Sequence, residues 1–219
     1  MKEKLKLLYR AKDNSNLYNR FDDVEVVIKQ ENEYSIGENK LFLEEAINDK
    51  EYMEIVKDII NNETVLEMKK YRQHYDINTF EHCLNVSYIS YRICKKLNLD
   101  YKSMARAAML HDLFLYDWRN SKKELNLDGY HAFVHPKIAL ENASKLYDLN
   151  DKEKDIIVKH MWPVTMALPK YKESFIITLV DKYSALQESA QYYRNRIESK
   201  KLFKYAYIFL GLIFLNKLI

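Results

Sequence analysis

Three glycines and three prolines in 219 residues leave little of the turn chemistry that a many-stranded sheet or a Gly-rich phosphate loop requires. Helices are therefore favoured before any periodicity is read. The only two cysteines, Cys83 and Cys94, match no zinc or redox spacing. They are expected to be reduced, half-buried and structural, on different faces of one helix. No Gly-framed serine marks a protein nucleophile. An excess of one charge is also lacking, since 35 Lys and Arg stand against 32 Asp and Glu, a net +3. That balance is too small and too dispersed for a dedicated nucleic-acid surface, so no stable nucleic-acid partner is expected and an anionic substrate must be recognised locally. The opening MKEKLKLLYRAKDNSN has no apolar core or small-residue cleavage site of a secretory signal, and a cytoplasmic location is expected.

What is present suits one ordinary domain with extensions, because 47% hydrophobic residues suffice to bury a core over most of the chain. Residues 1–47 read as a polar appendage, in which DVEVVIKQ followed by Ser35-Ile36-Gly37 could at best form a short hairpin. Helical signals begin at Asn48, where Asn48 and Glu51 are spaced like a capping box ahead of Met53, Val56, Ile59 and Ile60. A second helix is predicted from Thr79 to about Leu97, a third after the cap candidate Asp100, and a fourth following Pro136. A fifth starts at Asn150 with Glu153 three residues on, and a sixth contains FIITLVDKYSAL and continues past Gln191. The stretch from Tyr116 to Val134 reads as a loop. The domain is thus placed at 48–200 and an apolar helix at 201–219. In that tail the uncharged run between Lys204 and Lys217 is shorter than the roughly 20 residues that span a bilayer. Packing on the domain, homodimerisation and membrane contact all remain open for it.

Histidine and aspartate carry the chemistry. His82 shares a helical face with Val86, Ile89 and Ile93. His111 follows Ala107 by four, His160 follows Ile156 by four, and Asp181 follows Ile177 by four in the apolar stretch around Leu179 and Val180. A lone inward histidine is usually a satisfied core residue. Inward aspartates are harder to dismiss, since a buried carboxylate costs several kcal/mol unless it is paired or bound to a cation, and no Lys or Arg is an obvious partner for both. A divalent or trivalent metal fits imidazole and carboxylate ligands delivered by different helices. Successive ligand groups lie 21 to 29 residues apart, about one helix plus its connection, and the adjacent pair His111-Asp112 can reach two neighbouring ions.

The order His82, His111-Asp112, Asp181 resembles the H…HD…D signature of the HD-domain superfamily, helical metal-dependent phosphohydrolases, over residues 48–190. The strings EHCLNVSYISYRICKKL, ARAAMLHDLFLYDW, HAFVHPKIALENA, IIVKHMWP and LVDKYSAL are most similar to a bacterial subgroup of predicted HD hydrolases. The resemblance implies an all-α bundle with two divalent transition metal ions, Mn or Fe first, with Zn, Co or Ni as possibilities. His82, His111, Asp112 and Asp181 would hold one ion and His135 and His160 the other, with Asp112 bridging. His111 and Asp112 would thereby form the catalytic centre, in which paired cations share and acidify a water for attack at phosphorus. Gly-Lys after the HD pair, found in the cyclic-dinucleotide phosphodiesterases of the superfamily, is replaced by Leu113-Phe114-Leu115, and their paired histidines by His160-Met161. A cyclic di-GMP activity and a third metal are not expected.

The substrate is expected to be a small phosphorylated molecule, nucleotide-like if Tyr116, Asp117 and Trp118 line the pocket mouth. Arg72, His74 and Lys137 are candidate substrate contacts, and His131 is a substrate ligand, a leaving-group acid or a surface residue. For Lys137, Lys159 and Lys182 a solvated helix face is the default reading. Two other activities suit the same residues: a di-iron oxygenase, and a non-catalytic regulator that responds to bound metal or nucleotide.

Overall fold

A computed structural model describes residues 38–75, 77–119 and 130–199. The expected hairpin in 1–37 and the tail 202–219 lie outside the described residues. Helices dominate: α1 (Glu38–Asn48), α2 (Lys50–Ile60), α3 (Glu63–Leu66), α4 (Thr79–Lys96), α5 (Tyr101–Leu110), α6 (His131–Leu146), α7 (Asp151–Lys159) and α8 (Lys172–Ser199). A two-stranded antiparallel hairpin, β1 (Arg72–His74) and β2 (Ile77–Asn78), precedes α4.

Helix starts follow their caps. Asn78 and Glu81 form a reciprocal capping box at α4, Asn150 and Glu153 another at α7, and the Asp100 carboxylate accepts from the Ser103 amide at α5. Three boundaries differ from the sequence reading. Helix α1 begins inside the stretch expected as a polar appendage, buries Ala46 and pairs its Glu45 with Arg92 of α4. Its ENKLFLEEAIN sequence has little contrast between faces, so periodicity could not reveal it. The cap of α2 is Asp49, which accepts from the Tyr52 amide at 3.0 Å, whereas Asn48 closes α1 by donating to the Glu44 carbonyl at 2.8 Å. Helix α6 starts at His131, five residues before Pro136. Proline marks a first turn only by preference, and here it removes one interior hydrogen bond instead.

The core forms where α4 crosses α5. Ala105, Ala107 and Ala108 on α5 are fully buried, and their small side chains let the helices approach closely. A buried chain of hydroxyls ties in α2: Tyr52 donates to Ser87 Oγ at 2.9 Å, and Ser87 donates to the Ala105 carbonyl at 2.7 Å. Cys83 and Cys94 are free and completely buried, not half-buried. Eleven residues is close to three helical turns, so they share a side of α4. Burial pushes the Cys94 thiol up to about 12, in keeping with an inert structural residue.

Among the described residues no helix is long and apolar enough to cross a membrane.

Candidate metal centre

Two of the chemistry-bearing histidines cap helices. His111 is the C-cap of α5 and His160 the C-cap of α7. There the last carbonyls lack helical partners. His111 Nδ1 lies 2.7 Å from the Ala108 carbonyl and His160 Nδ1 lies 2.8 Å from the Ile157 carbonyl. A carbonyl only accepts, so each Nδ1 carries a proton, and in the neutral ring Nε2 is left as a lone pair. His135, in the second turn of α6, does the same with the His131 carbonyl at 2.9 Å.

These lone pairs converge. His135 Nε2 and His160 Nε2 are 2.8 Å apart, and both lie near Asp112 Oδ1, at 3.2 and 3.4 Å. His111 Nε2 is 3.7 Å from Asp112 Oδ2 and 3.7 Å from Asp181 Oδ1, and His82 Nε2 is 3.1 Å from the same Asp181 oxygen. His82 and His111 are fully buried and the other four are nearly so. Every ion-pair partner of Asp112 and Asp181 among the described residues is a histidine.

Such a cluster is short of positive charge. Burial opposes the imidazolium form of His82, yet the Glu188 and Asp181 carboxylates outweigh it and hold its pKa well above the ordinary value. His111 is raised in the same way against burial, by Cys83, Asp112 and Asp181. Burial alone would raise Asp112 and Asp181, but the surrounding histidines hold both carboxyls well below the usual range. Burial pushes His160 down to about 3, which keeps it neutral and available as a ligand.

The donor set fits a metal. His111 Nε2 and Asp112 Oδ1 are buried without a hydrogen-bond partner, the condition of ligand atoms lacking their cation. His82, His111 and Asp112 form one group with ligand atoms within 4.8 Å of one another, and Asp112, His135 and His160 form another that shares Asp112. Neutral imidazoles and carboxylates suit divalent transition metals. A third group, His74, His82 and Glu188, shares His82. All six residues expected as ligands thus stand at one place.

A cavity of about 290 Å³ opens onto the cluster, lined beyond it by Gln73, His74, Trp118, His131 and Lys182 among others. His74 and His131 lie where the sequence reading placed substrate contacts. Arg72 and Lys137 do not line the cavity, and both are exposed. Alternation in β1 turns Gln73 inward and Arg72 out, and Lys137 follows His135 by two residues, close to the opposite side of the helix. Leu179 likewise faces outward while Ile177 and Val180 are buried. The His131 ring stacks between Trp118 and His135, at 5.6 and 4.5 Å, and its Nδ1 is 3.1 Å from the Tyr116 hydroxyl. Burial, then His135, lowers His131 to about 4. Lys182, read as a solvated residue, is half-buried, with Nζ on the His160 and Thr178 carbonyls at 3.2 and 3.1 Å. Leu113 and Phe114, which replace Gly-Lys, are core residues, and the Phe114 ring meets His131 and His135 edge-on.

Two functional residues escaped the sequence reading. Gln73 donates its side-chain amide to Asp112 Oδ2. Glu188 places its carboxylate oxygens 2.9 and 3.1 Å from His82 Nδ1. An amide in a short polar segment gives no signal, but Glu188 stands seven residues after Asp181, two helical turns, and that spacing could have found it.

No curated protein and no solved structure matches the chain. Residues 79–186, from the start of α4 into α8, match the family model of the HD domain, and the cluster of histidines and aspartates that could hold metal lies wholly within that match.

Proposed function

We propose that the protein is a metal-dependent phosphohydrolase that holds two transition metal ions and cleaves a small phosphate ester, nucleotide-like in its leaving portion. HD domains are generally metal-dependent phosphohydrolases, and the residues of this cluster suit that chemistry. The observation that carries the reading is the pair of Nε2 atoms of His135 and His160 at 2.8 Å, each ring with its Nδ1 already beside a carbonyl. Two facing lone pairs repel unless a cation or proton sits between them, and the bare Asp112 Oδ1 beside them favours a cation.

His82, His111, Asp112 and Asp181 would hold one ion and Asp112, His135 and His160 the other. Bound there, the ions supply Lewis acidity, which acidifies a water and polarises a phosphoryl oxygen. The chain supplies the rest. Gln73 fixes the Asp112 carboxylate, so that its two oxygens face the two ligand groups. Lys182, which lines the cavity with its Nζ on the His160 and Thr178 carbonyls, can turn to a phosphate oxygen. His131, lowered to about 4, is neutral near pH 7. With the Tyr116 hydroxyl donating to Nδ1, its Nε2–H donates to a substrate oxygen, a role in hydrogen bonding and not in proton transfer. The cavity sits at the small end of the usual ligand range of roughly 300–1,000 Å³. It suits a phosphate with its adjoining group, while Trp118 at the rim offers a face for a base.

The test is metal analysis of protein purified without chelator, followed by phosphate release from nucleotides and dinucleoside polyphosphates with Mn, Fe or Zn, in air and under nitrogen. Release with zinc and without oxygen is expected, because hydrolysis needs no redox cycle. A blank with every metal, together with oxygen consumption by the iron-loaded protein, would replace this reading with an oxygenase.

A further inference from the structure

Four histidines turn Nε2 toward the metal centre, and three of them are held through Nδ1 by carbonyls of their own helices, Ala108 for His111, His131 for His135 and Ile157 for His160. His82 is held differently. Its Nδ1 faces the carboxylate of Glu188, 106 residues away on α8, at 2.9 and 3.1 Å. The Glu188 side chain is 1% exposed, and its only ion-pair partner among the described residues is His82. A buried carboxylate is costly, and this one is placed two turns beyond Asp181, outside the segment that matches the HD domain.

We propose that Glu188 is a positioning residue of the metal centre: it accepts the Nδ1–H of His82, so that the Nε2 lone pair points toward Asp181 and His111. This rests on the metal-centre reading above. A carboxylate behind a ligating imidazole fixes the ring and its tautomer and makes the other nitrogen a stronger ligand. Direct ligation by Glu188 is the competing chemistry, because His74, His82 and Glu188 also form a group of potential ligands. A neutral imidazole has one lone pair, however. Holding an ion through Nε2, on the side that faces Asp181, His82 would keep its one proton on Nδ1, and both Glu188 oxygens lie within reach of that donor.

The experiment is calorimetric zinc titration of chelator-stripped protein, wild type beside Glu188→Gln and Glu188→Ala, with thermal unfolding of each metal-free sample. Glutamine keeps an acceptor without the charge, and alanine keeps neither. Unchanged stoichiometry is expected, with affinity at one site about tenfold weaker in Glu188→Gln and up to about a hundredfold weaker in Glu188→Ala. If Glu188→Ala does not fold, Glu188→Gln decides alone. Loss of a whole ion from Glu188→Gln would make Glu188 a ligand and overturn the proposal. Wild-type affinity in a variant that merely unfolds at lower temperature would overturn it too, as a purely structural role. A wild type that takes up no zinc would overturn the metal-centre reading itself, and the role of Glu188 with it.

Discussion

Gln73 and Asp112 are joined by a buried hydrogen bond from the glutamine amide to carboxylate oxygen Oδ2, which ties the hairpin before α4 to the turn after α5. The other oxygen, Oδ1, is left for His135 and His160. Removing the amide frees the carboxylate to rotate without removing a ligand. Gln73→Ala should therefore keep the metal stoichiometry and weaken affinity about tenfold, the lower end of what outer partners of ligands contribute. Calorimetric titration measures it, and an unchanged affinity would show that the turn alone orients Asp112.

The sharing of Asp112 between two ligand groups separates two other variants. Asp112→Ala should lose both ions, because Asp112 is the residue that the two groups share. His135→Ala should lose chiefly one. Metal analysis of the purified variants reads this directly, and wild-type metal content in Asp112→Ala would remove the bridging assignment.

His82, His111, His160 and Asp181 were legible in the sequence as titratable side chains on apolar helical faces, whereas Asp112 and His135 came with the resemblance to HD domains. The helix starts at Asp100 and Asn150 were legible for a different reason, since their side chains satisfy orphan amides at fixed spacing. Tyr130, which precedes α6, carries no such signal, and so the start of that helix was misplaced toward Pro136. The supporting residues were hidden because their roles arise in tertiary structure. Nothing local tells Gln73 from Arg72 until the pleat faces one of them inward, and Glu188, though spaced two turns from Asp181, shows its partner His82 only when α8 lies against α4.

Tyr75 pins the hairpin that carries Gln73 and His74. It adopts a left-handed backbone, φ 50°, at the turn between β1 and β2, and its ring stacks on Tyr192 of α8 at 4.2 Å and 20°. An aromatic pair of this kind contributes about 0.5–1.5 kcal/mol, small against the stability of a domain. Tyr192→Ala should therefore leave global unfolding nearly unchanged while the hairpin loosens. Hydrogen exchange at the Gln73 and His74 amides should speed up, with a fall in kcat/KM on whichever phosphate ester proves active. Unaltered exchange there would mean that the hairpin is held by its own register and by Trp118, whose indole N–H donates to the Gln73 carbonyl at 3.3 Å.

Acid sensitivity offers a test that needs no substrate. Burial and the neighbouring His135 lower His131 to about 4 in the folded protein, against roughly 6.5 for an unperturbed histidine. The fold thus favours the neutral ring. Its contribution to stability is complete above about pH 6.5 and is lost as pH falls toward about 4, because the unfolded chain takes up the proton first. His82 and His111 run the other way: their raised values give stability that is present below about 6.5 and fades as pH rises through the folded values. Both proteins in the comparison share those two groups, so their effect cancels. In metal-free protein, the drop in unfolding temperature between pH 7 and pH 4.5 should be smaller in His131→Phe than in wild type, since phenylalanine can keep the stack between Trp118 and His135 and has no proton to gain. An equal drop in the two proteins would show that His131 titrates normally, and would return it to the role of a proton donor near neutral pH.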